Sequence, residues 1–195
     1  MIKCIIFDWG GVCTKSHLIK NFAHNLSGKA GLSPKKIENA FIEKDTLYEL
    51  GKISSDEFWN NFSEKTGINK EAAKKEFVQT QNVREDVINY IRELKQMVIL
   101  LTNNYYELLM HIRKYYPLFD KVYASCEVGI KKPDKRIFQL VLEDYNLKGE
   151  ECIFVDDKKE NLEPAKTLGM HTILYTNLGE LEERISTIVN DNRLC

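Results

Sequence analysis

The chain has 195 residues, of which 43% are hydrophobic and 29% charged, an ordinary balance for a globular protein with its own core. That length exceeds the about 150 residues of one typical domain and predicts a single domain carrying an insertion. Lysine and arginine number 28 against 29 acidic residues, so the net charge of −1 forces no polyanion-binding surface, and no apolar run is long enough to span a bilayer.

The N-terminal stretch Met1 to Asp8 lacks a basic region followed by a long apolar one. No secretory signal is expected, and the chain reads as cytoplasmic. Lys3 to Phe7 is the first of five short apolar runs of β-type composition, ending at the polar Asp8. Residues 15–82 hold no strand pattern but several helical ones. Ser33-Pro34 reads as an N-cap with proline at the first helical position, and Ser54-Ser55-Asp56-Glu57 opens a second helix. Phe41, Tyr48, Phe58, Trp59 and Phe62 are expected to form the hydrophobic core of this segment.

From residue 83 onward, helix and strand patterns alternate. Val83 to Leu94 is helical, with Val87, Ile88, Ile91 and Leu94 on one face. Met97 to Leu101 and Lys121 to Ala124 are strands that end at Thr102 and Ser125. Asp134 is a candidate N-cap for a helix reaching Glu143, and Cys152 to Val155 is a strand ending at Asp156. Leu162 to Leu168 is helical, His171 to Tyr175 a strand, and Leu178 to Val189 a final amphipathic helix. Continuous apolar runs suit strands buried on both faces. The fold expected is α/β, a doubly wound Rossmann-like parallel sheet, with residues 1–14 and 83–195 as the core and 15–82 as an inserted small helical cap.

Cys4, Cys13, Cys126, Cys152 and Cys195 contain no Cys-x-x-Cys pair, which predicts neither a disulfide framework nor a structural zinc site. Cys4, Cys13 and Cys152 read as packing residues. His17, His24, His111 and His171 share no metal-ligand spacing. Lys70 to Lys75 is a mixed-charge helix face, so nucleic acid is not an expected partner. A monomer and a homodimer are both compatible with the sequence.

Ligands of a doubly wound sheet bind at the carboxyl ends of its strands. Those ends supply Asp8-Trp9-Gly10-Gly11, then Thr102-Asn103-Asn104, then Lys131-Lys132-Pro133-Asp134, then Asp156-Asp157. Each alone has a bland reading as turn, cap or solvated face. Together they assemble a carboxylate nucleophile, a hydroxyl and a cation for phosphoryl oxygens, and carboxylates for a hard divalent ion such as Mg²⁺.

These segments resemble the haloacid dehalogenase (HAD) superfamily, in its phosphatase-like branch with a helical cap after the first strand. The resemblance rests on Ile5 to Val12, Leu100 to Asn103, Gly129 to Asp134, and Phe154 to Asp157 with Asn161 and Gly169. Gly51-Lys52-Ile53-Ser54 before an aromatic helix is similar to the cap of that group. The resemblance implies a Mg²⁺-dependent phosphomonoester hydrolase acting on a small phosphorylated metabolite. Asp8 would form an aspartyl-phosphate, Thr102 would hold a phosphoryl oxygen with Asn103 helping through its backbone or side chain, and Lys132 (with Lys131 as the competing choice) would neutralise charge. Asp156 and Asp157 would bind the metal together with Asp8 and the Gly10 carbonyl.

One position departs from the pattern. Such phosphatases usually carry a second Asp two residues after the nucleophile as general acid and base, and here it is Gly10. Glucose-1-phosphatase-type relatives are similar in having Asp-x-Gly. His17, Asp45 and Glu49 are candidate replacements, and Trp9 either lines the pocket or packs against the cap. The departure leaves two further readings open: a binding or regulatory protein without turnover, and a dehalogenase, whose halide leaves without a proton and needs no metal.

Overall fold

The computed structural model describes residues 1–15 and 17–191. Cys195 lies outside them. Five parallel strands, β1 (Cys4–Phe7), β2 (Met97–Thr102), β3 (Lys121–Ala124), β4 (Cys152–Asp156) and β5 (His171–Leu174), form one sheet in the order β3-β2-β1-β4-β5. Every residue of β1 and β4 is buried, because helices cover both faces, and this is why their sequences run apolar without alternation. In register, Phe7 lies between Leu100 and Val155, which brings the ends of the three central strands to one edge. Asp8 N–H donates to the Val155 carbonyl at 2.9 Å, so the residue after β1 is still pinned to the sheet.

The strand bounds differ from the sequence reading by a residue. Thr102 and Asp156 belong to strands, paired with Ala124 and Leu174, while Lys3 and Tyr175 fall outside. The helix expected from Val83 begins two residues later as α5 (Glu85–Glu93), because Val83 bridges Thr14 in extended conformation. The helix expected from Leu162 is α9 (Lys159–Lys166), and those anticipated near Asp134 and Leu178 are α8 (Lys135–Asp144) and α10 (Leu178–Asp191). Asp134 caps α8 by accepting from Arg136 N–H. Two short helices, α6 (Tyr106–Ile112) and α7 (Ser125–Val128), had no recognisable period.

Between β1 and α5 lie α1 (Leu18–Ala30), α2 (Pro34–Glu49), α3 (Ser55–Thr66) and α4 (Lys70–Gln79). Ser33, Ser54 and Asn69 cap the last three, each side-chain oxygen accepting a first-turn N–H. These helices enclose an aromatic cluster of Phe22, Phe41, Tyr48, Phe58, Trp59, Phe62 and Phe77, joined by Tyr105 and Leu108 from beyond β2. Phe41 and Phe58 meet edge to face at 4.9 Å, and Tyr48 stacks on Phe58 at 4.3 Å.

The segment is tied to the sheet at two places. Where the chain leaves and returns, Lys15 N–H donates to the Asn82 carbonyl at 2.9 Å and Arg84 N–H to that of Cys13 at 2.8 Å. Across the strand ends, Glu107 of α6 accepts from the Tyr48 and Ser55 hydroxyls and from Trp59 Nε1 at 3.1 Å. Ser125 Oγ donates to the Glu49 carbonyl at 2.6 Å. Gly51 approaches the Cys126 carbonyl so closely that no Cβ would fit, and its φ of +65° also suits glycine. No helix of the described residues is long and apolar enough to cross a membrane.

Candidate active site at the strand ends

The ends of β1, β2 and β4 and the loop before α8 converge on one ammonium group. Lys132 Nζ lies 2.8 Å from Asp8 Oδ1, 2.8 Å from Asp156 Oδ2 and 2.8 Å from the Leu101 carbonyl, with only 1% of its side chain exposed. Of the two adjacent lysines, Lys132 therefore stands at the cluster. Lys131 points the other way and pairs with Glu49 of α2 at 2.6 Å.

Asp156 is fully buried, and hydrogen bonds fix the orientation of its carboxylate. Its carboxylate accepts from Lys158 N–H at 2.8 Å and from Asn161 Nδ2 at 3.0 and 3.1 Å, besides Lys132. Asn161 sits one turn into α9, so the helix that follows β4 orients the carboxylate at its end. The Asn103 side chain makes a double hydrogen bond to the backbone of Lys132: Nδ2 donates to its carbonyl and Oδ1 accepts its N–H, both at 2.9 Å. The Asn103 side-chain amide is thus committed to holding the lysine loop, and of the two routes to phosphate read from the sequence this leaves the one through its backbone. Thr102 is buried, and its hydroxyl has only a long bond to the Asn103 carbonyl at 3.4 Å.

Asp8, Asp156 and Asp157 offer oxygens that lie within 4.8 Å of one another. Among the described residues this is the one such group of metal-ligating side chains, and no histidine belongs to it. Asp157 Oδ1 is buried without a hydrogen-bond partner. Three carboxylates against one ammonium leave the cluster deficient in positive charge. Burial pushes the Asp8 carboxyl up to about 7; Lys132 opposes the rise, while Asp156 and Asp157 add to it. Burial also raises Asp157, reinforced by Asp156. For Lys132 burial works downward, but Asp8 and Asp156 outweigh it and hold the ammonium charged. An unpartnered carboxylate oxygen in an acidic, oxygen-only cluster fits a hard divalent cation such as Mg²⁺.

A cavity of about 520 Å³ opens over this cluster. Asp8, Gly10, Thr102, Lys132 and Asp157 lie on its lining, as do His17, Leu18, Ile42 and Glu49 of the helical segment. Asp45 does not; it accepts from the Tyr105 hydroxyl at 2.5 Å. Trp9 borders the cavity, but its ring packs on Tyr115 at 5.4 Å within the sheet's core rather than against helices α1–α4. Cys13 donates to the Asp8 carbonyl at 3.4 Å and burial raises its thiol pKa, which suits a packing residue.

Residues 2–169 match the haloacid dehalogenase-like hydrolase family. The chain is 32% identical over 181 residues to sesquiterpene phosphatase astK of Aspergillus oryzae, covering 86% of this chain and 87% of that protein. It is 27% identical over 207 residues to D-ribitol-5-phosphate phosphatase of Bacteroides thetaiotaomicron, covering 97% and 100%. A solved HAD family enzyme from the same bacterium, in complex with magnesium, is similar with a TM-score of 0.76 at 26% identity over 90% of this chain and 93% of that one. The chain spans much less of two other relatives, 29% of drimenol cyclase drtB of Aspergillus calidoustus and 18% of acyl-CoA dehydrogenase family member 10 of Mus musculus. With most of its length matched in this way, and a five-stranded parallel sheet carrying the matched motifs at its edge, the chain belongs to the haloacid dehalogenase-like hydrolases.

Proposed function

We propose that the protein is a Mg²⁺-dependent phosphomonoester hydrolase that acts through an aspartyl-phosphate on Asp8 and takes a small phosphorylated metabolite. The observation that carries this reading is the Lys132 ammonium held 2.8 Å from both Asp8 and Asp156 beside an unpartnered Asp157 oxygen. Two relatives named as phosphatases and a neighbour crystallised with magnesium support it.

A carboxylate attacks a phosphate dianion only where their repulsion is cancelled. Lys132 supplies one fixed charge at the nucleophile, and Asn103, Asp156 and the Leu101 carbonyl keep it there. Mg²⁺ held by Asp8, Asp156, Asp157 and the Gly10 carbonyl would supply the remaining positive charge and polarise the phosphoryl oxygens. Thr102 is placed to donate to a phosphoryl oxygen, giving up only its 3.4 Å contact. Helices α1–α4 act as the cap, covering the cavity and limiting water until the phosphoryl group has moved. A dehalogenase has no use for a cation site, so the open Asp157 oxygen favours the phosphatase.

Phosphate release from para-nitrophenyl phosphate and a panel of sugar phosphates tests this reading. Turnover is expected with Mg²⁺ and is expected to vanish in EDTA; turnover indifferent to EDTA would remove the metal from the mechanism. Gly11→Ala gives a sharper test of the metal site. A Cβ there would intrude into the Asp157 carboxylate, and the φ of +84° already disfavours alanine. The Mg²⁺ concentration giving half-maximal activity is expected to rise ~10–100-fold, the usual effect of disturbing a ligand's support.

A further inference from the structure

We propose that His17 is the general acid and base of this site, in place of the carboxyl side chain that Gly10 lacks; the inference rests on the phosphatase reading above. An alkoxide leaving group needs a proton, and the water that follows must lose one. A single residue can do both only if it lines the cavity, is not held by another charge, and changes protonation near working pH.

The ionisable groups on the cavity lining reduce quickly under those conditions. Asp8, Asp157 and Lys132 belong to the charge cluster. Glu38 and Glu49 are already engaged, by Lys35 at 3.4 Å and Lys131 at 2.6 Å. The Tyr105 hydroxyl donates to Asp45, and burial pushes its pKa well up. Lys15, Lys20 and Lys158 offer N–H donors and no acceptor for a proton from water. Asp45, the third candidate in the sequence, is absent from the lining. His17 remains, and among the described residues nothing is hydrogen-bonded to its imidazole. An imidazole has one nitrogen that donates and one that accepts, so the same ring can hand over a proton and take one back.

The backbone at this position adds a second, independent observation. His17 stands immediately before α1 with φ 71° and ψ 34°, and its carbonyl accepts from Asn21 N–H at 2.9 Å. The left-handed residues that follow α1 and α3 are Gly31 and Gly67, for which that conformation carries no side-chain penalty. Among the described residues only His17 and Asn146 adopt it with a side chain. A bulky ring kept in that conformation on the cavity lining is the kind of backbone strain found at functional sites. The floor is open to meet it: a Cβ built on Gly10 finds only Asp8 Oδ2, at 3.9 Å, within 4 Å.

In the first step an Asp8 oxygen bonds to phosphorus as the ester P–O bond breaks. The electron pair stays on the leaving oxygen, which takes the proton of the His17 imidazolium. In the second step the neutral imidazole takes a proton from water as the water oxygen bonds to phosphorus. The bond from phosphorus to Asp8 breaks, its electron pair returns to the carboxylate, and His17 ends protonated as it began.

His17→Asn is the variant to make, because asparagine adopts the left-handed conformation readily and keeps the start of α1. Para-nitrophenolate leaves without a proton whereas phenolate needs one, and the two aryl esters fill the cavity alike. With Mg²⁺ present, His17→Asn is expected to lower kcat/KM, which reports transfer to Asp8, by ~10²-fold for phenyl phosphate and far less for para-nitrophenyl phosphate, while kcat for para-nitrophenyl phosphate falls behind a burst of para-nitrophenolate as the aspartyl-phosphate accumulates. Added imidazole is expected to restore part of the phenyl phosphate rate. An equal loss of kcat/KM on both esters, or no loss on either, would overturn the assignment. A wild-type protein that hydrolyses neither ester would instead overturn the phosphatase reading, and this assignment with it.

Discussion

Asp8→Asn is expected to abolish phosphate release, lowering it roughly 10⁴–10⁶-fold, as removal of a nucleophile does elsewhere. The amide matches the carboxylate in shape but neither attacks phosphorus nor carries charge toward a cation. Loss of folding would not account for such a result. Lys132 keeps Asp156 and the Leu101 carbonyl as partners, and Asp8 is a group whose ionisation burial opposes, its carboxyl being pushed up to about 7. Replacing it with a neutral amide relieves that cost. In chelator the variant is therefore expected to melt no lower than wild type. A variant that folds normally and keeps even a hundredth of wild-type turnover would remove Asp8 from the covalent step.

Lys132→Met carries the second large effect, and it extends to stability. The ammonium is buried between two buried carboxylates, and methionine fills similar space without charge. Asp8 and Asp156 would then face each other with no cation between them. Breaking a buried pair by deleting one partner costs about 3–5 kcal/mol, because the other charge is left without compensation. For a chain of this size that is a fall of roughly 6–20 °C in Tm. Activity is expected to be lost as well. Thermal melts with and without Mg²⁺ check the origin of the loss: the cation should recover more stability in Lys132→Met than in wild type. A melting temperature unchanged from wild type in chelator would mean that the ammonium does not hold the carboxylates together.

The sheet was legible because strands buried on both faces cannot hide their composition. Ile5-Ile6-Phe7 and Ile153-Phe154-Val155 are apolar without alternation, and each runs straight into the aspartate of the site. The aromatic cluster of α1–α4 was legible for a related reason, since Phe58, Trp59 and Phe62 recur at helical spacing behind a serine cap. The choice between Lys131 and Lys132 rested on the resemblance alone, because adjacent lysines have the same composition and no period. In the turn that holds them Lys132 reaches Asp8 and Asp156 while Lys131 is drawn to Glu49. Whether Asn103 would serve phosphate through its backbone or its side chain was open for a similar reason, since nothing local reveals that its amide reaches a backbone 29 residues further on. Helix α6 has too few turns for a period to emerge, so the link from Glu107 to Tyr48, Ser55 and Trp59 had no signal in the sequence. Trp9 was ambiguous because a large ring after a strand end can pack on either neighbour, and here the sheet's core takes it.

The covalent role of Asp8 is tested most directly by stereochemistry at phosphorus. An isotopically chiral phosphorothioate ester hydrolysed in labelled water passes through two in-line displacements if Asp8 is the nucleophile. Each displacement inverts the centre, so the thiophosphate released is expected to retain the configuration of the ester. Inverted thiophosphate would mean a single displacement by water, and Asp8 would then serve the metal and Lys132 without ever bonding to phosphorus.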